Sequence, residues 1–452
     1  MERVQRRSPW TWVPTLYFGQ GIPYVVVMTL SVVMYKNLGI SNIDIALYTG
    51  WLYLPWVIKP LWSPLVELFR SKRYWIVALQ LAIGAALALV ALTTRLPNFF
   101  QLSLAVFWLM AFSSATHDIA ADGFYMLALP QHTQAAYVGV RSGFYRLAMI
   151  AGQGGLVYLA GKLGENGGDV RMAWATVFWI LAALFVALFA YHRILLPHPD
   201  SERRDDGRAG RDVDGSARDN YDRAIHRGAD SRAGGRPPRR ALLNEFFATF
   251  TAFFQKKDIL TILGFLLLFR LGEAQLLKLA IPFLLDPADK GGLGLSTADV
   301  GLVYGSIGVA ALSAGGLLGG LAIARFGLKR CLWTMVFAVH VPDLVFVYLA
   351  TALPHNFALV AACMAAEQFG YGFGFAAYLL YMIMVSDGPH QTAHYAICTG
   401  FMALGMMLPG MASGWIQQHL GYQHFFVWVC LATLPAFALT ARVRIDGGFG
   451  RK

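Results

Sequence analysis

Charge is what this sequence lacks. Of its 452 residues only 14% are Asp, Glu, Lys or Arg, while 57% are hydrophobic and the mean hydropathy is +0.51. Soluble domains keep roughly a quarter of their residues charged, so most of this chain is excluded from water. Cysteine is scarce as well. Cys331, Cys363, Cys398 and Cys430 all fall in apolar runs, without metal-type spacing or a pairing context, which excludes a disulfide framework and leaves them as packing residues. The first apolar run is too long for a signal-peptide core and no small-residue cleavage site interrupts it, so it is expected to be retained as a helix.

What is present in abundance is apolar sequence long enough to span a bilayer, which takes roughly 20 residues per helix. Spans are expected at 10–38, 43–68, 74–94, 99–129, 135–163 and 171–195, then at 258–285, 297–325, 329–353, 356–386, 392–420 and 423–441. Between the sets, 197–240 mixes Arg and Asp with Gly and Pro and cannot bury a core. Its charges nearly cancel and no aromatic platform accompanies them, so a nucleic-acid partner is not expected. The expected order is an amino-terminal six-helix bundle over 1–196, a cytoplasmic disordered linker over 197–257, a second six-helix bundle over 258–443 and a cytoplasmic tail over 444–452.

Orientation follows from Lys and Arg, which stay on the cytoplasmic side in short loops. Arg3, Arg6 and Arg7, the 70–73 loop (Arg70, Lys72, Arg73), the Arg-rich linker and Lys329-Arg330 all fall on one face, so both termini are expected in the cytoplasm. The net charge of +11 reports this topology. The halves also resemble each other: Ala135-Ala136-Tyr137 matches Ala393-His394-Tyr395, Gly152 matches Gly410, and Lys72-Arg73 matches Lys329-Arg330. Internal duplication with a six-plus-six count is a mark of transporters. It predicts an all-α membrane protein of the major facilitator fold, with 12 transmembrane helices in two bundles around a central cavity.

Spans 1, 4, 7 and 10 would line that cavity, and the polar residues collect there. Span 4 holds His117, Asp118 and Asp122; span 7 holds Arg270, Glu273 and Lys278; span 10 holds Glu367 and Gln368; span 1 holds Gln20. At 1.5 Å per residue, Asp118 lies roughly 16 Å from the cytoplasmic end of its helix. An Asp at the centre of a span costs about 2.5–3.5 kcal/mol on insertion scales, so two of them need partners, water or a proton. Arg146 in span 5 lies at a similar depth, and the expectation is that Asp118 or Asp122 pairs with it when ionised and releases it when protonated. Proton coupling is thus assigned to Asp118, Asp122 and Glu367. Arg146, Arg270, Glu273, Gln20, Lys59 and Tyr125 are assigned to a polar, anionic substrate with a sugar face.

Other readings carry less. A metal site of His117, Asp118 and Asp122 has one histidine and poor convergence, so neither metal nor cofactor is expected. Ser114 beside His117 shows no oxyanion arrangement, so no catalytic residue is assigned and no enzyme is expected. His340 and Asp343 straddle Pro342 in span 9, an outer helix, where a local hydrogen bond at the kink is expected. Lys59 is equally placed to snorkel outward or to bind substrate.

The residues also carry a family likeness: FGQGIP at 18–23, KPLWSPL at 59–65, SATHDIAAD at 114–122, YRL at 145–147, FRLGEA at 269–274 and Glu367-Gln368. With them, the chain resembles the AmpG-type muropeptide permease family of the major facilitator superfamily. The resemblance implies a symporter of the bacterial inner membrane, importing anhydro-muropeptides with protons for cell-wall recycling, and Asp118 and Asp122 match that family's paired aspartates. Here His117 stands where glutamine is usual, Arg270 and Glu273 replace Lys and Asp, and a hydrophilic linker replaces an additional helix pair. Another oligosaccharide or an anionic metabolite, of the acetyl-coenzyme A kind, stays the alternative substrate. Drug efflux and a non-transporting receptor stand behind it, and a monomer is expected.

Overall fold

Helices account for almost all of the architecture, because a chain surrounded by hydrocarbon must satisfy every backbone N–H and C=O within itself. The computed structural model describes residues 8–68, 70–165, 167–197, 250–388, 391–445, 447 and 449–450. Among these, nine helical stretches are individually long and apolar enough to cross a bilayer. The last of them, Ala393–Thr440, holds two passages, since Gly421 at φ +69° breaks the helix. Passages over 42–68 and 131–164 are broken or diluted by polar residues.

Among the described residues the result is twelve helical passages. They are α1 (Pro9–Asn37), α2 (42–68), α3 (Lys72–Thr93), α4 (Phe99–Ala128), α5 (131–164) and α6 (Val170–Leu195), followed by α7 (Ile259–Leu285), α8 (Thr297–Phe326), α9 (Leu328–Ala352), α10 (Phe357–Ser386), α11 (391–420) and α12 (422–440). These twelve form one compact unit. The expected linker lies outside the described residues except at its ends, where 250–254 is helical.

Helix starts repeat between the halves. Ser41 caps α2 by accepting from Asp44 N, and Ser296 caps α8 by accepting from Asp299 N, with the acid in the first turn each time. Both are Ser-x-x-Asp boxes that satisfy otherwise orphaned amides.

Several helices are irregular at mid-height. α1 has a π-helical turn at Val26–Leu30, α5 at Ile150–Leu156 and α8 at Gly301–Gly308. α2 is interrupted at Leu52-Tyr53, α7 at Phe269-Arg270 and α9 at 341–343, around Pro342. Such departures from regular helix concentrate at functional positions. The π turns of α5 and α8 meet at Gly154 and Gly305, where a Cβ on Gly305 would overlap the backbone of Gln153. The two halves touch there through backbone and the small side chain of Ser306.

Lys and Arg mark one face of the bundle: Arg70, Lys72 and Arg73 between α2 and α3, and Lys329 and Arg330 at the start of α9. On the opposite face a polar network joins the halves. Lys36 Nζ lies 2.6 Å from Asp286 Oδ1 and donates to Asn42 Oδ1 at 2.8 Å. Tyr422 OH donates to Asp286 Oδ2 at 2.7 Å, and Asn42 Nδ2 reaches Tyr422 OH at 2.9 Å and Gln417 Oε1 at 3.1 Å. Beside it, Asn37 donates to Thr297 Oγ1 at 2.8 Å. Lys36 and Asp286 end α1 and α7, equivalent helices of the two halves, so opposite charges at matching positions close this face.

A charge-assisted hydrogen bond contributes about 1.5–3 kcal/mol, or roughly tenfold or more in an opening equilibrium. Asp286→Asn should therefore raise labelling of a cysteine placed at Thr297 by an impermeant maleimide about tenfold, in a background with the four native cysteines replaced. Unchanged labelling would show that the α5–α8 packing closes this face alone.

Candidate functional site

The two aspartates of α4 stand one helical turn apart and meet different cations. Asp118 Oδ2 lies 3.7 Å from Lys59 Nζ and accepts from Trp56 Nε1 at 3.2 Å, both from the second segment of α2. Gln20 of α1 also faces Asp118, and its Oε1 has no partner. Asp122 Oδ1 lies 2.9 Å from Arg141 Nη2 of α5 and accepts from Tyr17 OH at 3.3 Å. The Arg141 guanidinium stacks over Tyr17 at 4.5 Å and Tyr125 at 5.6 Å. Side chains of Asp122 and Arg141 are 36% and 34% exposed, so this pair sits at an open surface of the bundle, whereas Asp118 is more enclosed.

The expected partner, Arg146, is not the one used. Its Nη1 lies 3.6 Å from Met149 Sδ, and its charge falls among Tyr24, Tyr145 and Tyr371 instead. Helix arithmetic explains the correction. Counted from the α4–α5 turn at Pro130, Asp122 is eight residues back and Arg141 eleven forward, while Arg146 is sixteen forward and a turn and a half deeper. Lys59 does not snorkel outward but turns inward to Asp118. Tyr125 is spent on structure: its hydroxyl donates to the Gln134 carbonyl, and Gln134 Nε2 in turn donates to Leu129 O at 2.7 Å, which pins the α4–α5 turn.

Behind the aspartates runs a buried chain through four helices. Thr15 Oγ1 and His192 Nε2 are 3.0 Å apart, His192 Nδ1 and Gln80 Oε1 3.0 Å, and Gln80 Nε2 and His117 Nε2 3.3 Å. An amide oxygen only accepts and an amide nitrogen only donates. Gln80 therefore fixes His192 with a proton on Nδ1 and makes His117 Nε2 an acceptor, so His117 serves to hold α4 in place. Among the described residues no group of three His, Cys, Asp or Glu is placed to hold a metal ion.

In the other half, Arg270 occupies the interruption of α7. Its Nη2 donates to Tyr371 OH at 2.5 Å and lies 3.5 Å from Glu273 Oε1, with the guanidinium 4.9 Å over the Phe375 ring. Glu367 Oε2 accepts from Gln368 Nε2 at 2.9 Å. Between the halves, Tyr24 and Tyr53 meet hydroxyl to hydroxyl near Arg270, and Lys278 Nζ stands 5.4 Å over the Tyr53 ring. The kink at Pro342 lacks the expected hydrogen bond: both His340 nitrogens and Asp343 Oδ2 are without partners. Arg141, Tyr17, Trp56 and the tyrosine pair carry no signal in the sequence, because only helix packing brings them to the aspartates and to Arg270.

Lys59→Met would leave Asp118 enclosed without a cation. Breaking a buried pair costs about 3–5 kcal/mol; Lys59 is 29% exposed, so about 1–3 kcal/mol is expected. Because protonation neutralises the stranded carboxylate, the deficit in thermal stability against wild type should shrink as pH falls. A deficit independent of pH would mean Lys59 acts through packing alone.

Comparisons with known proteins identify the fold and the superfamily. The Major Facilitator Superfamily model matches residues 15–341. The anhydromuropeptide permease of Escherichia coli (strain K12) is 24% identical over 434 residues, covering 94% of this chain and 77% of that protein. A putative AmpG 4 transporter of Rickettsia conorii is 24% identical over 430 residues, covering 92% of each. The solved structure of the nucleoside transporter NupG superimposes with a TM-score of 0.65 at 15% identity, covering 96% of this chain and 98% of that one. The chain belongs to the Major Facilitator Superfamily, with AmpG-type permeases among its relatives, and is a membrane transporter and not an enzyme.

Proposed function

We propose that the protein is a proton-coupled symporter that imports anhydro-muropeptides across the bacterial inner membrane, as a monomer with both termini in the cytoplasm. The observation that carries this reading is the α4 pair: two carboxylates one turn apart, each with its own cation, one enclosed and one at an open surface. An enclosed and an accessible carboxylate in sequence can take a proton on one side and hand it on at the other. When Asp122 is protonated, Arg141 loses its counter-ion and the α4–α5 contact loosens. Asp118 does the same for Lys59 and the α2 segment that bears it.

Cargo recognition falls to the central cluster. Arg146 and Arg270 suit the carboxylates of a peptide stem, and Tyr24, Tyr53 and Tyr371 offer faces for sugar rings to stack on. Glu273, Gln20 and Lys59 complete the polar lining, while Tyr125, buried and stacked with Arg141, holds the α4–α5 turn. Basic loops gathered on one face support the cytoplasmic assignment of that face. The permease named among the relatives supports the choice of cargo.

Proteoliposomes test the reading. Labelled anhydro-muropeptide should accumulate under an inward proton gradient in wild type, and Asp122→Asn should cut accumulation at least tenfold. Absent uptake by folded wild type would refute the cargo and turn the search to other oligosaccharides and anionic metabolites. Uptake indifferent to the gradient would refute the coupling.

A further inference from the structure

The interruption of α9 brings a carboxyl group into a place where nothing compensates it. Residues 341–343 break the helix into Leu328–His340 and Leu344–Ala352. Pro342 cannot donate to the carbonyl four residues back, and the freed Ala338 carbonyl faces Gly370 of α10, whose missing Cβ also admits the Pro342 ring. That approach seats the break against α10 one turn beyond Glu367.

Asp343 stands at the N-cap of the second segment, where an aspartate ordinarily bonds a free amide. Its side chain makes no such bond. It is 1% exposed and Oδ2 has no partner, so helix capping does not account for it. Facing it are Glu273 of α7 and Glu367 of α10, each 1% exposed, and Cys430 of α12. His340, between the Phe269 and Phe437 rings, faces Arg270, and Tyr304 of α8 faces Glu273 and Glu367. Among the described residues one guanidinium, Arg270, serves this group, and it is engaged with Tyr371 and Glu273. Three ionised carboxylates around one cation would leave uncompensated charge in the interior, at a cost of several kcal/mol per ion. Neutralisation is the cheaper state for such groups. A proton on a carboxyl oxygen removes such a charge in place.

We infer that the α9 break carries a second proton-binding site, separate from the α4 pair, built from the two buried acids Asp343 of α9 and Glu367 of α10. The step is a transfer between carboxyl oxygens or to water: one O–H bond breaks, another forms, and no other bond changes. The site deepens the symport reading and rests on it for its purpose, since a proton held against Arg270 in one half and another at Asp122 in the other half would tie both halves to the same gradient.

Infrared difference spectroscopy on purified full-length protein, titrated with no substrate present, tests the site independently of the cargo. Wild type at neutral pH should show a protonated-carboxyl band that Asp343→Asn removes and Asp122→Asn leaves in place. Glu367→Gln, which decides the matter should Asp343→Asn fail to fold, should move the titration midpoint of the remaining band by about one pH unit or more, as expected for coupled acids. A band indifferent to both α9 and α10 substitutions, or no protonated carboxyl at neutral pH, would overturn the proposal. Failed muropeptide uptake with the band present would instead overturn only the cargo.

Discussion

The cost of placing a charge in hydrocarbon organises this structure. An apolar chain of this kind folds its helices for little more than backbone satisfaction, and any sequence of similar hydropathy would do the same. The charges inside the spans are what make this arrangement specific. Asp118 has Lys59, Asp122 has Arg141, Arg270 has Glu273, and Lys36 has Asp286. Apart from Arg270–Glu273, which lies within α7, each pair joins two helices and so fixes a relative position that dispersion forces alone would leave degenerate.

The same pairs supply the means of change. A buried ion pair is costly to break by removing one partner but easily dissolved by a proton. Those within the amino-terminal half lie toward the middle and the basic face, while the Lys36–Asp286 network closes the other face between halves. Interruptions at Arg270, at Tyr53 and at Pro342, with the π turns of α1, α5 and α8, place irregular backbone at the same level as the charges. Helix breaks at mid-height let neighbouring segments tilt without disturbing the regular ends, as transporters with discontinuous helices do.

Much of this was legible in the sequence. Span positions followed from run length, and the sequence predicted the twelve passages to within a few residues because hydropathy is a direct measure of what hydrocarbon tolerates. The depth of Asp118 and Asp122 and their place in α4 followed from counting. Their partners did not. Depth alone points to Arg146, but the turn at Pro130 fixes which residues of the α4–α5 hairpin meet, and it brings Arg141 to Asp122. The closing network was missed because Lys36 and Asp286 lie 250 residues apart, and only the equivalence of α1 and α7 relates them. The Pro342 kink is visible as a proline, but a prolyl break only frees backbone groups; what it packs against depends on Gly370 in another helix, which admits the Pro342 ring.

The central claim is that the α4 carboxylates couple transport to protons and do not merely bind cargo. Exchange and accumulation separate these roles. With labelled anhydro-muropeptide inside and out at equal pH, Asp122→Asn should exchange solute across the vesicle membrane at a rate close to wild type, while failing to concentrate it when a proton gradient is imposed. Loss of exchange together with accumulation, in protein shown to be folded, would make Asp122 a ligand for the cargo or a structural pair, and would contradict the account.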